Sequence, residues 1–198
     1  MHLASDSHSL DLCLLCRLVF QLGYNGQVPG PTIRQKVGRQ SLLRVTNNIQ
    51  TSPEVPQFHP CDTATRTGRP ITVHFHGSAS LAPYDGWAED SICTGETKDY
   101  VYPNNRPTTG WYHDHQLELT APNAYRGLAG FYIMEEEAAV TPGSKTGRTG
   151  LAVAPWNLAT VNATLMMQAD KSFDRSCQLT LDKEVGGMVW LACVHGVL

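Results

Sequence analysis

Apolar and polar positions alternate along this chain in short runs, and glycine and proline cut those runs before a helical repeat can develop. Six segments read as strands: Arg17 to Leu22, Ser41 to Thr46, Ile71 to His76, Glu96 to Tyr102, Gly110 to His113 and Gly130 to Glu135. Asn25-Gly26 and Pro29-Gly30-Pro31 are turn signals, and Leu117 to Tyr125 is the one stretch with room for a helical turn or two. The pattern predicts an all-β fold, an antiparallel sandwich or barrel. Gln50 to Pro70, rich in Pro, Thr, Ser and Asp, reads as a long surface loop, and Thr141 to Thr149 reads as a linker. The chain is thereby divided into an irregular segment 1–16, a main domain 17–140 and an irregular extension 141–198. The last stretch of that extension, Gly186 to Leu198, is apolar without clear periodicity.

Composition narrows the function classes. The chain has 198 residues, 41% of them hydrophobic and 17% charged, with a net charge of −3. That is enough to bury a core, and the lack of any Lys/Arg block excludes a nucleic-acid or anionic-membrane surface. No apolar run approaches the roughly 20 residues of a spanning helix. Leu10 to Phe20 is apolar but broken by Asp11 and Arg17, with no basic region before it and no small-residue cleavage site after it, so no signal peptide is expected. Six cysteines, at 13, 16, 61, 93, 177 and 193, are scattered. Cys13-x-x-Cys16 alone has a metal or redox spacing, and within Leu12-Cys13-Leu14-Leu15-Cys16 it reads better as two small apolar residues. Disulfide pairing and redox compartment stay open.

The histidines carry the chemical signal. Four of the eight form two His-x-His pairs, His74-Phe75-His76-Gly77 and His113-Asp114-His115, at or just beyond strand ends. Residues i and i+2 of a strand share a face about 6.6 Å apart. That is wide for two nitrogens meeting one ion at about 2 Å, but it suits neighbouring ions about 3.5–4 Å apart. Ligation by imidazole without cysteine suits copper or zinc. His2, His8, His59 and His195 have no such partner. Between the pairs lies Tyr84-Asp85-Gly86-Trp87-Ala88-Glu89-Asp90, which reads either as a solvated turn with Trp87 anchored in the core or as a carboxylate beside the metals that relays protons.

Further motifs accompany these: Tyr24-Asn25-Gly26-Gln27-Val28-Pro29-Gly30-Pro31-Thr32, Val45-Thr46-Asn47-Asn48, Trp111-Tyr112-His113-Asp114-His115, and Ala121-Pro122-Asn123-Ala124-Tyr125-Arg126-Gly127-Leu128-Ala129-Gly130. Together and in this order they resemble the N-terminal cupredoxin domain of the multicopper oxidases, in the bilirubin oxidase and laccase-like branch, over residues 20–137. The resemblance implies a cupredoxin-like Greek-key β-barrel or sandwich. It also implies a trinuclear copper cluster that reduces dioxygen to water with electrons from a small reducing substrate. By the family pattern His74 ligates the type 2 copper, His76 and His113 one type 3 copper, and His115 the other, while Asp85 assists proton delivery.

The family completes its cluster with H-x-x-H-x-H and H-C-H motifs from its last domain, and this sequence has neither. Cys193-Val194-His195 has part of the second spacing, but Ala192 stands where a histidine is required. The resemblance therefore implies half of the trinuclear ligand set, no type 1 copper site, and a need for the missing C-terminal cupredoxin domain. Met166 to Glu184 resembles the opening of a second cupredoxin domain, and residues 185–198 match nothing, so a truncated member or mis-spliced gene model is expected. The alternative is a stand-alone, non-catalytic copper-binding cupredoxin module or an inactive gene fragment. On either reading the chain alone is expected to show no oxidase turnover. Copper held through neutral imidazoles should bind more weakly as pH falls through about 6.5. The family implies secretion, in which case Asn162-Ala163-Thr164 would be a glycosylation sequon.

Overall fold

The computed structural model describes residues 2–10, 19–50, 61, 68–135, 165–173, 179–180 and 189–196. Strands β1 (His2–Leu10), β2 (Val19–Tyr24), β3 (Gly30–Lys36), β4 (Ser41–Asn47), β5 (Val73–His76), β6 (Thr97–Tyr102), β7 (Thr108–Asp114) and β8 (Ala129–Glu135) build two four-stranded sheets. One has the order β2-β1-β4-β6 and the other β3-β8-β7-β5. A 3₁₀ turn (Ala82–Tyr84) follows β5, and the helix α1 (Thr120–Arg126) lies between β7 and β8.

Period-two alternation decides what each sheet buries. In β4, Leu43 and Val45 point inward, and in β6 Tyr100 and Tyr102 do the same. From the other sheet Val73, Phe75, Tyr112 and Tyr132 meet them in one core. Aromatic rings join the layers: Phe75 stacks on Tyr132 at 4.0 Å and meets Tyr102 edge-on at 5.4 Å, and Tyr24 packs on Tyr112 at 5.1 Å. The expected all-β sandwich is present. Among the described residues its sheets stay open and do not close into a barrel.

All six expected strands are found, with ends shifted by at most two residues, and α1 overlaps the expected helical stretch. Asn25 (φ 51°) and Gly26 (φ 69°) form the expected tight turn, closed by Gln27 N–H donating to the Tyr24 carbonyl at 3.2 Å. Two strands of these sheets escaped the pattern. Residues 2–10, expected to be irregular, form β1, which pairs antiparallel with β2 and parallel with β4. Its polar sequence hides a place between two strands, where buried Ser5 donates to Asn47 Oδ1. Residues 30–36, expected to begin in a turn, form β3, an edge strand parallel to β8, where Pro31 costs no ladder bond.

The end of the expected surface loop is buried at Gly68, Arg69 and Pro70, and Cys61 is joined to Cys93 in a disulfide with Cα atoms 5.6 Å apart. The rest of that loop, the linker at 141–149, the boundary near 140 and Cys13-x-x-Cys16 lie outside the described residues. The extension expected to be irregular contains a third sheet, β9 (Leu165–Phe173) between β10 (Leu179–Thr180) and β11 (Val189–Gly196). Residues 189–196 of the apolar tail thus pair with β9, which the absence of periodicity did not reveal.

Candidate metal centre

The register of β5 against β7 creates the site. Val73 and Phe75 fill the core, so the alternation sends His74 and His76 to the outer face of their sheet. The antiparallel pairing sets His74 opposite His113 and His76 opposite Trp111. Cross-strand partners share a face, so a slip of one residue would exchange the imidazoles for core aromatics. His115 follows the end of β7, where its backbone N–H donates to the Thr72 carbonyl at 2.9 Å.

Four rings converge as a result. That of His74 lies 5.6 Å from His76, 5.5 Å from His113 and 5.1 Å from His115, and His113 lies 5.9 Å from His115. His74, His76 and His113 each offer a ring nitrogen, all within 4.8 Å of one another. The structure thus brings together all four sequence-predicted ligand histidines, although His115 stands outside the tight triad.

Hydrogen bonds orient the rings. His113 Nδ1 lies 2.7 Å from the Asp114 carbonyl and His74 Nδ1 lies 2.5 Å from the Asp85 carbonyl. A carbonyl can only accept, so both Nδ1 atoms carry a proton, which leaves Nε2 as the lone-pair nitrogen of each neutral ring. His113 is buried, and desolvation pushes its pKa down to about 4, with the neighbouring histidines acting in the same direction. It therefore stays neutral, as a ligand must. His115 Nδ1 is buried without a hydrogen-bond partner among the described residues. Converging imidazoles, one of them buried and neutral at His113 and one with an orphaned ring nitrogen at His115, fit copper or zinc.

Asp85 sits beside the cluster in two ways. Its carbonyl holds His74, and its half-exposed carboxylate Oδ1 lies 3.5 Å from the same Nδ1. Trp87, read as a core anchor, is instead 63% exposed, with its indole N–H donating to Glu89 Oε2 at 2.7 Å. Gly86, at φ 75°, explains the difference. A Cβ there would lie 2.3 Å from the Val73 carbonyl, so the turn packs its backbone, not its tryptophan, against β5.

Sequence reasoning missed Trp111, whose ring stacks on His76 at 5.3 Å and lies tilted 4.2 Å from His113, beside the triad. It also missed Asp114, fully buried between two candidate ligands, whose carboxyl is pushed up to about 7 by burial against three N–H donors. The identity of Asp114 inside His-x-His was the available signal, since a buried carboxylate needs an organised set of donors.

Residues 63–139 match the multicopper oxidase family model. The chain is 42% identical over 118 residues to a bilirubin oxidase of Albifimbria verrucaria, covering 59% of this chain and 18% of that protein. Over 127 residues it is 35% identical to a laccase of Bacillus subtilis, covering 58% and 25%. Residues 63–139 thus form a multicopper oxidase-like stretch of this chain. Among solved structures, a multicopper oxidase of Pseudomonas thermotolerans aligns with a TM-score of 0.56 at 25% identity, covering 69% of this chain and 29% of that one. A multicopper oxidase of Pediococcus acidilactici aligns at 0.69 over 96% of this chain and 36% of that one, and at 17% identity it shows the shared fold. The chain spans only about a fifth to a quarter of the length of the curated relatives it matches.

Proposed function

We propose that this chain is the copper-binding N-terminal domain of a laccase- or bilirubin oxidase-like multicopper oxidase, contributing half of a trinuclear site and no type 1 site. The observation that carries this reading is the convergence of His74, His76 and His113 within 4.8 Å, with His115 beside them. His74 would hold the type 2 ion, His76 and His113 one type 3 ion, and His115 the other. Bound copper supplies the one-electron steps by which dioxygen is reduced to water at the expense of a small reducing substrate. Cys61 and Cys93 are bonded to each other and offer no thiolate for a blue copper ion.

The chain's own groups have defined tasks. The Asp85 carbonyl fixes the Nδ1–H tautomer of His74, and its carboxylate, open to solvent, is placed to hold a proton at Oδ1 and pass it inward. Trp111 packs against His76 and His113 beside the triad. The face that carries His76 is exposed, and with Leu81, Trp87 and Leu117 also exposed, it suits closure by a C-terminal cupredoxin domain.

Copper stoichiometry with absorption and EPR spectra on the 198-residue chain tests the reading, with a His74→Ala/His113→Ala variant beside it. Bound copper lost in the variant, with no absorption near about 600 nm, is the expected result. Equal copper in both chains would overturn it. The alternative, a stand-alone non-catalytic copper-binding module, shares this ligand set and separates from the first reading only if an added C-terminal domain fails to complete an active site.

A further inference from the structure

Where β5 and β7 stop pairing, a side chain takes over the ladder. Val73 opposite Asp114 is the last regular pair. Beyond it, Asp114 Oδ1 accepts from the Thr72 N–H at 3.0 Å, and Oδ2 accepts from the Gln116 N–H at 3.1 Å and from Asn123 Nδ2 at 2.9 Å. Asn123 in turn accepts on Oδ1 from Arg69 Nε at 2.5 Å and donates to the Pro70 carbonyl at 3.3 Å. Asp114, Asn123 and Arg69 are all buried.

This clasp spans the segments that deliver the ligands. Thr72 leads into His74 and His76, Gln116 directly follows His115, and Asn123 belongs to α1. One carboxylate therefore fixes the start of one His-x-His pair against the end of the other, with the Arg69 cation behind it. We infer that Asp114, seated by Asn123 and Arg69, is a positioning residue that sets the distance and facing of the two His-x-His pairs. The inference rests on the proposed copper-binding role and adds the group that shapes the site. Asn at 114 would turn its NH₂ toward the Gln116 and Asn123 donors, whereas the exchange Asp114→Asn/Asn123→Asp restores a donor-to-acceptor match between those two side chains and keeps an acceptor for Arg69.

The test uses the 198-residue chain, copper(II) alone as the probe, and ring ¹⁵N spectra of the histidines without metal. Asp114→Asn is expected to weaken copper(II) binding about tenfold or more, to change the copper hyperfine pattern, and to mix the His113 ring tautomers. The exchange variant should recover part of each signal. Ser41→Ala, which removes a hydrogen bond to the Tyr132 hydroxyl and shares no residue with the clasp, should lower the melting temperature and leave all three signals alone. A folded Asp114→Asn chain with wild-type copper affinity, EPR and ring spectra overturns the inference. If that variant does not fold, Asn123→Ser is read instead, and wild-type signals there overturn it equally. If the wild-type chain binds no copper, the proposed function falls, and the metal-free ring spectra alone decide the clasp.

Discussion

His76 Nδ1 lies 3.4 Å from His113 Nε2 across the β5–β7 pair. His113 donates its Nδ1–H to the Asp114 carbonyl, so in the neutral ring the facing Nε2 is a lone pair. A metal held by the triad would be ligated through that lone pair. His113→Ala should therefore weaken copper binding more than the roughly 10–100-fold attached to loss of a ligand's supporting partner. Isothermal titration with copper(II) measures this, and an affinity within a few-fold of wild type would remove His113 from the ligand set.

Burial of His113 also predicts a pH dependence of stability. Its folded pKa of about 4 lies below the unfolded value of about 6.5. The folded state then binds fewer protons, so this group's contribution is complete above pH 6.5 and is lost as pH falls from there toward 4. Asp114, pushed up to about 7, acts with the opposite sign over that range, so the comparison is with His113→Ala, which retains Asp114. Urea unfolding should show the variant gaining on the wild type by on the order of 1–3 kcal/mol between pH 7 and pH 4. A constant gap between the two chains would contradict the buried neutral imidazole.

Cys61 and Cys93 are both fully buried, and their disulfide closes a 32-residue separation. Replacing both with Ser should cost about 2–4 kcal/mol in urea unfolding. Because burial shields the bridge, dithiothreitol should leave the native wild type unchanged over hours and lower its stability only when it unfolds. Mass spectrometry after alkylation under native conditions checks this, and prompt labelling at both positions would refute it.

Gly86→Ala asks for a left-handed backbone and a Cβ 2.3 Å from the Val73 carbonyl. The turn must move away from β5 and take the Asp85 carbonyl with it. We expect a loss of about 1–3 kcal/mol together with a changed His74 ring ¹⁵N signal. A lowered melting temperature with an unchanged His74 signal would mean that Asp85 does not hold that ring.

Phe75 separates His74 from His76 and stacks on Tyr132 at 4.0 Å in the core. Phe75→Ala should cost about 3–5 kcal/mol, and Phe75→Leu less, with copper affinity falling in the same order. Titration of both variants below their unfolding transitions reads this. Equal affinities would show that the core behind β5 does not support the ligand face.

The strands that alternate and face one core, β4, β5, β6 and β8, could be read from the chain because period two is a local property. β1 and β3 could not. One is polar and owes its conformation to two neighbours, and the other opens with a proline tolerated at a sheet edge. The His-x-His spacing likewise exposed the four candidate ligands, since residues two apart share a face in any strand.

What local pattern cannot encode is register and what lies behind it. The pairing of His74 with His113, the packing of Trp111 against His76, the Cys61–Cys93 bridge and the Asp114–Asn123–Arg69 clasp all join residues far apart in the chain. The sequence by itself determined the candidate ligands and the two faces of each alternating strand, because side-chain identity and pleat suffice for both. Only the tertiary structure decided which faces meet, which imidazole stays neutral and which carboxylate is buried, because those follow from desolvation and hydrogen-bond partners that exist once the sheets have packed.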